Sequence, residues 1–139
     1  MVKKLTPKVE YNSLGSLHDK LLWLHKYKRW ELGLNDRIDF IRHISYAKLG
    51  FTETALRDSS LGIKLEAYRT LGWRDEAKYD TCPIIRFQAY EALGWTEEAF
   101  NDDNSRIRHE AYCNLGFTEQ SLNDSSDSIR QAAKRWFQL

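Results

Sequence analysis

Ile85-Arg86-Phe87-Gln88-Ala89-Tyr90-Glu91-Ala92-Leu93-Gly94-Trp95 is echoed by Ile107-Arg108-His109-Glu110-Ala111-Tyr112-Cys113-Asn114-Leu115-Gly116-Phe117, 22 residues further on. The same step carries Leu-Gly-aromatic back to Leu71-Gly72-Trp73 and Leu49-Gly50-Phe51. An isoleucine column runs through Ile41, Ile63, Ile85, Ile107 and Ile129, and a tyrosine column through Tyr46, Tyr68, Tyr90 and Tyr112. A cationic column holds Arg42, Lys64, Arg86, Arg108 and Arg130; an acidic one holds Asp36, Asp58, Asp80, Asp102 and Asp124. A period of this length marks a supersecondary unit that cannot bury its apolar side alone and has to stack on its neighbours.

Each repeat reads as one longer and one short helix. In the second repeat the longer one is predicted over about Leu61 to Leu71. Ser60, Asn104 and Ser126 stand where an N-cap oxygen is wanted. Cys82 takes that place in the third repeat, with Pro83 at the first helical position, where a missing N–H costs nothing. The glycine suits a left-handed residue after the helix, and the aromatic beyond it can fold back onto the last turn. Thr96-Glu97-Glu98-Ala99 and Thr118-Glu119-Gln120-Ser121 then resemble a second N-cap with acids in the first turn. Ile63, Ala67 and Leu71 form a narrow apolar stripe expected to face the core. Lys64 and Tyr68 flank it, and the columns of Gly62, Leu65 and Arg69 point outward.

The pattern of an Asp six residues before an Arg or Lys, then Ile-Arg-x-x-Ala-x-x-x-Leu-Gly, resembles HEAT and HEAT-like repeats over about residues 33–139. The resemblance implies an all-α, right-handed α-solenoid of five short two-helix repeats. It also implies that Asp36, Arg42, Asp58, Lys64, Asp80, Arg86, Asp102, Arg108, Asp124 and Arg130 form a ladder between adjacent repeats. Twenty-two residues is short for that family, so a truncated first helix and a tighter spiral are expected. Short helical repeats of this kind also occur in phage and viral proteins. Members are mostly scaffolds and binding proteins, which implies an architecture more than an activity.

The ends differ from the middle. Residues 1–32 form a basic segment, with seven Lys or Arg against three acids, while the whole chain carries a net charge of only +1. Ser16–Leu32 reads as a long amphipathic helix, opened by Ser16 and Asp19, that caps repeats 33–139 as one continuous domain. Leu17, Leu21, Leu24 and Trp23 are expected to cover the first core. The short Gly33-to-Asp36 interval suggests that the first repeat lacks most of its short helix. At the other end Lys134 replaces the tyrosine, and Trp136 and Phe137 are expected to complete the core.

Two cysteines are too few for a disulfide framework, and no apolar run is long enough to span a membrane. With no hydrophobic run after Lys3 and Lys4, a cytoplasmic, reducing setting is the expectation.

No nucleophile elbow, phosphate loop or metal-ligand spacing is present, so neither an enzyme nor a cofactor is expected. His43 and His109 share the outward column and are the only candidates for a positioned base. Asn101-Asp102-Asp103-Asn104 resembles a metal loop in isolation, but its register makes it a turn and cap.

The outward columns vary between repeats, and they carry the main functional expectation: another protein, bound along this face. The candidate contacts are Phe40 and His43, then Leu65 and Arg69, then Ile84, Phe87 and Glu91, then Arg106 and His109, and last Gln131 and Arg135. The earlier ones are apolar and the later ones polar and basic, a composition suited to a protein interface. The alternative partner is nucleic acid, held by Lys20, Lys26, Lys28 and Arg29 interleaved with aromatics; equally, that helix can be a solvated cap. The molecule is expected to be a monomer or to associate through its ends.

Overall fold

A computed structural model describes residues 4–139; Lys3 and the two residues before it lie outside the described residues. All the described regular structure is helical: α1 (Pro7–Asn12), α2 (Leu17–Tyr27), α3 (Asp39–Leu49), α4 (Leu61–Leu71), α5 (Pro83–Leu93), α6 (Ser105–Leu115), α7 (Glu119–Leu122) and α8 (Asp127–Phe137). Between them run 3-10 turns at Trp30–Asn35, Glu53–Arg57, Asp75–Tyr79 and Glu97–Asn101. The chain divides into two compact halves, Met1–Gly72 and Trp73–Leu139. Among the described residues no helix is long and apolar enough to cross a membrane.

Six of the helices, α2 to α6 and α8, contain eleven residues each and begin at 22-residue intervals. The N-terminal helix is therefore shorter than Ser16–Leu32. It ends at Tyr27, its cap Lys28 is left-handed, and the next residues form the 3-10 turn Trp30–Asn35. The first repeat, expected to lack most of its short helix, has its short element in this turn, and Gly33 is one of its buried residues.

Within each half the buried residues follow the isoleucine and tyrosine columns. Ile41, Ile63, Ile85, Ile107 and Ile129 are buried, as are Tyr46, Tyr68, Tyr90 and Tyr112. The leucine that closes each stripe is not, with Leu71 still 37% exposed. Leu71 has the right helical angle, but it sits at the end of the helix. The core position there goes to the aromatic after the glycine, which folds back and lies parallel to the tyrosine. Phe51 stacks on Tyr46 at 5.7 Å, Trp95 on Tyr90 at 5.2 Å and Phe117 on Tyr112 at 5.6 Å.

The glycines allow that reversal, though not through the left-handed helical conformation. Gly50, Gly72, Gly94 and Gly116 have φ of 102–106° with ψ of 141–145°, an extended positive-φ region that is essentially restricted to glycine. Each still donates its N–H to the tyrosine carbonyl four residues back, as from Gly94 to Tyr90 at 2.8 Å.

Several helix starts lack a side-chain cap from the N-cap residue itself. The Ser60 and Ser126 side chains do not cap their helices, whereas Asn104 accepts from the N–H groups of Arg106 and Ile107. The general device is the aspartate two residues earlier. Oδ1 of Asp36, Asp58, Asp80, Asp102 and Asp124 accepts the N–H of Ile38, Ser60, Cys82, Asn104 and Ser126 at 2.8–2.9 Å. Asn101–Asn104 is thus a turn and cap.

The same carboxylates receive the cationic column. Arg42 grips Asp58 through Nε and Nη2 at 3.0 and 2.9 Å, and its Nη1 reaches the Asp36 carbonyl at 2.9 Å. Arg86 holds Asp102 in the same way, and Arg108 holds Asp124, each bond 2.9–3.0 Å long. Such two-pronged, charge-assisted bonds carry geometric specificity as well as energy. Burial alone would push these carboxyls up, but the arginine forks and backbone donors hold Asp58, Asp102 and Asp124 below the usual carboxylate range.

Asp36 is served from the N-terminal segment instead. Lys20 Nζ lies 2.8 Å from its Oδ2, and the Tyr11 hydroxyl donates to the same oxygen at 2.5 Å. Burial opposes ionisation of Asp36 too, and these donors again win. Trp23, Leu24 and Tyr11 form the first core cluster with Ile41, and Leu21 packs partly against it. Leu17, expected there as well, is exposed. At the other end Trp136 is 57% exposed and Phe137 39% exposed, so they do not complete the core; Trp136 instead leans on Phe117 at 5.6 Å.

Candidate protein interface

Pro83 opens α5, and Ile84 and Phe87 follow on the outward side of the helix. The Phe87 ring meets Trp95 edge-on at 5.4 Å, and Trp95 is itself stacked on buried Tyr90, so Phe87 is fixed by the core beneath it. From α6 the Arg106 guanidinium lies over the Phe87 ring, 4.8 Å from its centroid. Pro83, Ile84, Phe87, Asn104, Arg106 and Ile107 enclose a notch of about 110 Å³. Its floor, Ile107, is buried, while Ile84 on its rim is 48% exposed.

The notch has room for a single aliphatic side chain. Arg106 has no acidic partner among the described residues, so its charge is available at the rim to a carboxylate. A guanidinium over an aromatic ring can still donate hydrogen bonds from its edge.

The other outward residues are distributed between the halves. In the C-terminal half, His109 is half-buried with its ring 6.3 Å from Phe117, and Glu91, Gln131 and Arg135 are exposed. In the N-terminal half, Phe40 is exposed, Leu65 is half-buried and Arg69 lies 3.9 Å from Glu66. His43 lies edge-on to Phe51 at 5.9 Å. The two histidines are therefore wedged against the post-glycine aromatics, and among the described residues neither is paired with a nucleophile or a carboxylate. Sequence reasoning missed Pro83, Asn104 and Ile107 as walls of the notch. Their roles as helix start, cap and core residue were legible, but the cleft forms only where α5 and α6 meet.

The proposed nucleic-acid contacts are largely engaged elsewhere. Lys20 is committed to Asp36, and Arg29 pairs with Glu31. Lys26 Nζ sits over the Tyr27 ring at 5.1 Å, and Lys28 occupies the left-handed end of α2 with its side chain exposed. Of the interleaved aromatics, Trp23 is buried and donates its indole N–H to Glu10 at 3.0 Å. It has no face to offer a base.

Among the described residues no group of three or more His, Cys, Asp or Glu is placed to hold a metal ion. Comparison with protein-family models, with curated proteins and with solved structures finds no match to this chain.

Proposed function

We propose that the chain is a right-handed solenoid of short HEAT-like repeats that binds another protein through the outward sides of its long helices. The notch between α5 and α6 is the anchor. The solenoid reading rests on the 22-residue step of the eleven-residue helices and on arginine forks that each reach an aspartate 16 residues ahead. On this reading the repeat number is six rather than five, because α2 stands in register with the others and Lys20 precedes Arg42 by the same 22 residues.

One observation carries the binding reading: an exposed isoleucine and a fixed phenylalanine beside an arginine that has no acidic partner among the described residues. Interfaces concentrate their energy in such aromatic, aliphatic and arginine anchors. The test is Ile84→Glu combined with Arg106→Glu, two exposed positions whose exchange leaves the core intact. Proteins recovered with the intact chain from its native source are quantified against those recovered with the variant. Loss of a recovered protein by about 10-fold or more, at unchanged melting temperature, is expected from two removed anchors of about 1–2 kcal/mol each. Equal recovery of every protein sinks the reading. Retardation of labelled DNA or RNA at low salt, abolished by Lys26→Glu with Lys28→Glu, would replace it with nucleic-acid binding.

A further inference from the structure

Leu56, Phe100 and Leu122 belong to one column of the short turns, and Lys78 holds the same place in the third repeat. Leu56 and Phe100 are buried, and the Phe100 ring lies stacked on Tyr112 at 4.3 Å. The slender Lys78 chain does not fill the equivalent space. Its Nζ lies over the Tyr90 ring, 5.3 Å from the centroid, and a cleft of about 580 Å³ opens there, within the C-terminal half. Tyr79, Glu98 and Asp103 stand exposed at its rim, while Arg86 and Tyr90 line it as buried residues. One repeat further on, the rim places are held by Asn101, Gln120 and Ser125, which carry neither charge nor ring.

Asp80, Glu98, Asp102 and Asp103 line the cleft against two cations, Lys78 and Arg86. Both cations are engaged. Arg86 grips Asp102 and touches Asp103 Oδ1 at 2.8 Å, and Lys78 Nζ lies 3.5 Å from Asp75, outside the lining. Glu98 Oε1 accepts the Tyr79 hydroxyl. Among the described residues, Glu98 Oε2 and Asp103 Oδ2 accept no hydrogen bond. Tyr90 is only 2% exposed, and its hydroxyl has no hydrogen-bond partner among the described residues either. A buried polar group left in this way calls for a bound partner. Burial pushes that hydroxyl up to about 12, and the Glu98 and Asp102 carboxylates add more than Arg86 removes. The floor of the cleft is therefore a place for positive charge.

We propose that this cleft binds a guanidinium group, with Glu98 and Asp103 as carboxylate acceptors, the Tyr79 ring as a stacking face and the Tyr90 hydroxyl as a further acceptor. A guanidinium presents several N–H donors in one plane and stacks on aromatic faces, so it meets carboxylates and a ring at once; a compact ammonium does not. The volume lies in the range of small-ligand sites, roughly 300–1,000 Å³. The group comes either from a small molecule or from an arginine of another protein, and the chemistry of recognition is the same for both.

The probes are a short Gly/Ser peptide with one central arginine, blocked at both ends, its citrulline counterpart, and N-acetylarginine amide. Each is titrated into the full chain at low salt, and the amide resonances of Glu98 and Asp103 are followed by NMR. Citrulline has the shape without the charge, so its peptide should bind at least about 10-fold more weakly. Glu98→Gln combined with Asp103→Asn should erase that difference. Lys78→Phe, which restores the ring found one repeat later, should close the cleft and weaken arginine binding by about 10-fold or more, at an unchanged or higher melting temperature. Binding of the amide as tight as that of the peptide assigns the site to a small guanidinium compound; tighter binding of the peptide assigns it to a protein segment. Either result supports the proposal. Equal binding of the arginine and citrulline peptides, no binding of any probe, or a difference that survives the paired Glu98 and Asp103 exchange would each overturn it. The cleft shares no lining residue with the Ile84 notch, so either site can fail without the other.

Discussion

At Gly94 the backbone stands at φ 106° and ψ 141°, and a Cβ added there would meet no atom within 4 Å. Space is therefore not the reason for glycine; conformation is. Gly94→Ala should cost about 1–3 kcal/mol of backbone strain with no packing change, read as a lower urea midpoint at unaltered m-value. A neutral result would show that the reversal after α5 tolerates a side chain. The glycine column was legible from its spacing alone, but the kind of positive-φ geometry was not. Both the left-handed and the extended forms favour glycine, and only the position of the following aromatic, stacked on the tyrosine, selects between them. Leu71 failed as a core residue for the same reason: helical angle says which side a residue faces, but not how far along the helix the packing extends.

Between elements, the approach of the 3-10 turn Trp30–Asn35 to α3 is set by one pair. A Cβ on Gly33 would lie 2.1 Å from Ser45 Oγ and 3.1 Å from atoms of Ile41 and Leu24. The Ser45 hydroxyl itself donates to the Ile41 carbonyl at 2.7 Å. Twenty-two residues later the same two places hold Ala55 and Ala67, both buried. Gly33→Ala alone should therefore destabilise by about 2 kcal/mol or more, as overpacking does. Adding Ser45→Ala should recover the larger part, a coupling that a double-mutant cycle measures; additive losses would refute the pairing. The short Gly33-to-Asp36 interval misled because glycine serves both to end a helix and to admit close packing. The signal that separates them was present: Gly33 precedes Ala55, Ala77 and Ala99 in register, all buried small residues. Lys20 was placed among the candidate nucleic-acid contacts and not in the cationic column, although it precedes Arg42 by the period of that column.

Across the whole molecule, stability is tied to two sets of protons. Asp36, Asp58, Asp102 and Asp124 have folded carboxyls held below their ordinary range, against the opposing effect of burial. Their contribution is present above the unfolded aspartate value of about 4 and is lost as pH falls through the folded values. Burial pushes the hydroxyls of Tyr11, Tyr46, Tyr90 and Tyr112 up, that of Tyr90 to about 12. Those contributions are present below about pH 10 and are lost as pH rises through the folded values. Urea midpoints should therefore be level between about pH 5 and 9 and fall on both sides. In Arg86→Met the acid limb should become shallower, because Asp102 then has less to lose; an identical acid limb would mean that the forks do not supply it.

Residue order alone dictates the helical class, the 22-residue period, the buried isoleucines and the pairing types of the cationic and acidic columns. These are consequences of local periodicity, which one strand of text records in full. Packing of the elements decided which carboxylate Arg42, Arg86 and Arg108 each grip, and that Lys20 and Tyr11 complete the first of these sites. It also decided that Ile84, Phe87 and Arg106 share a notch. Those outcomes depend on distances between residues far apart in the chain, and a repeating pattern specifies such distances only after its units have packed.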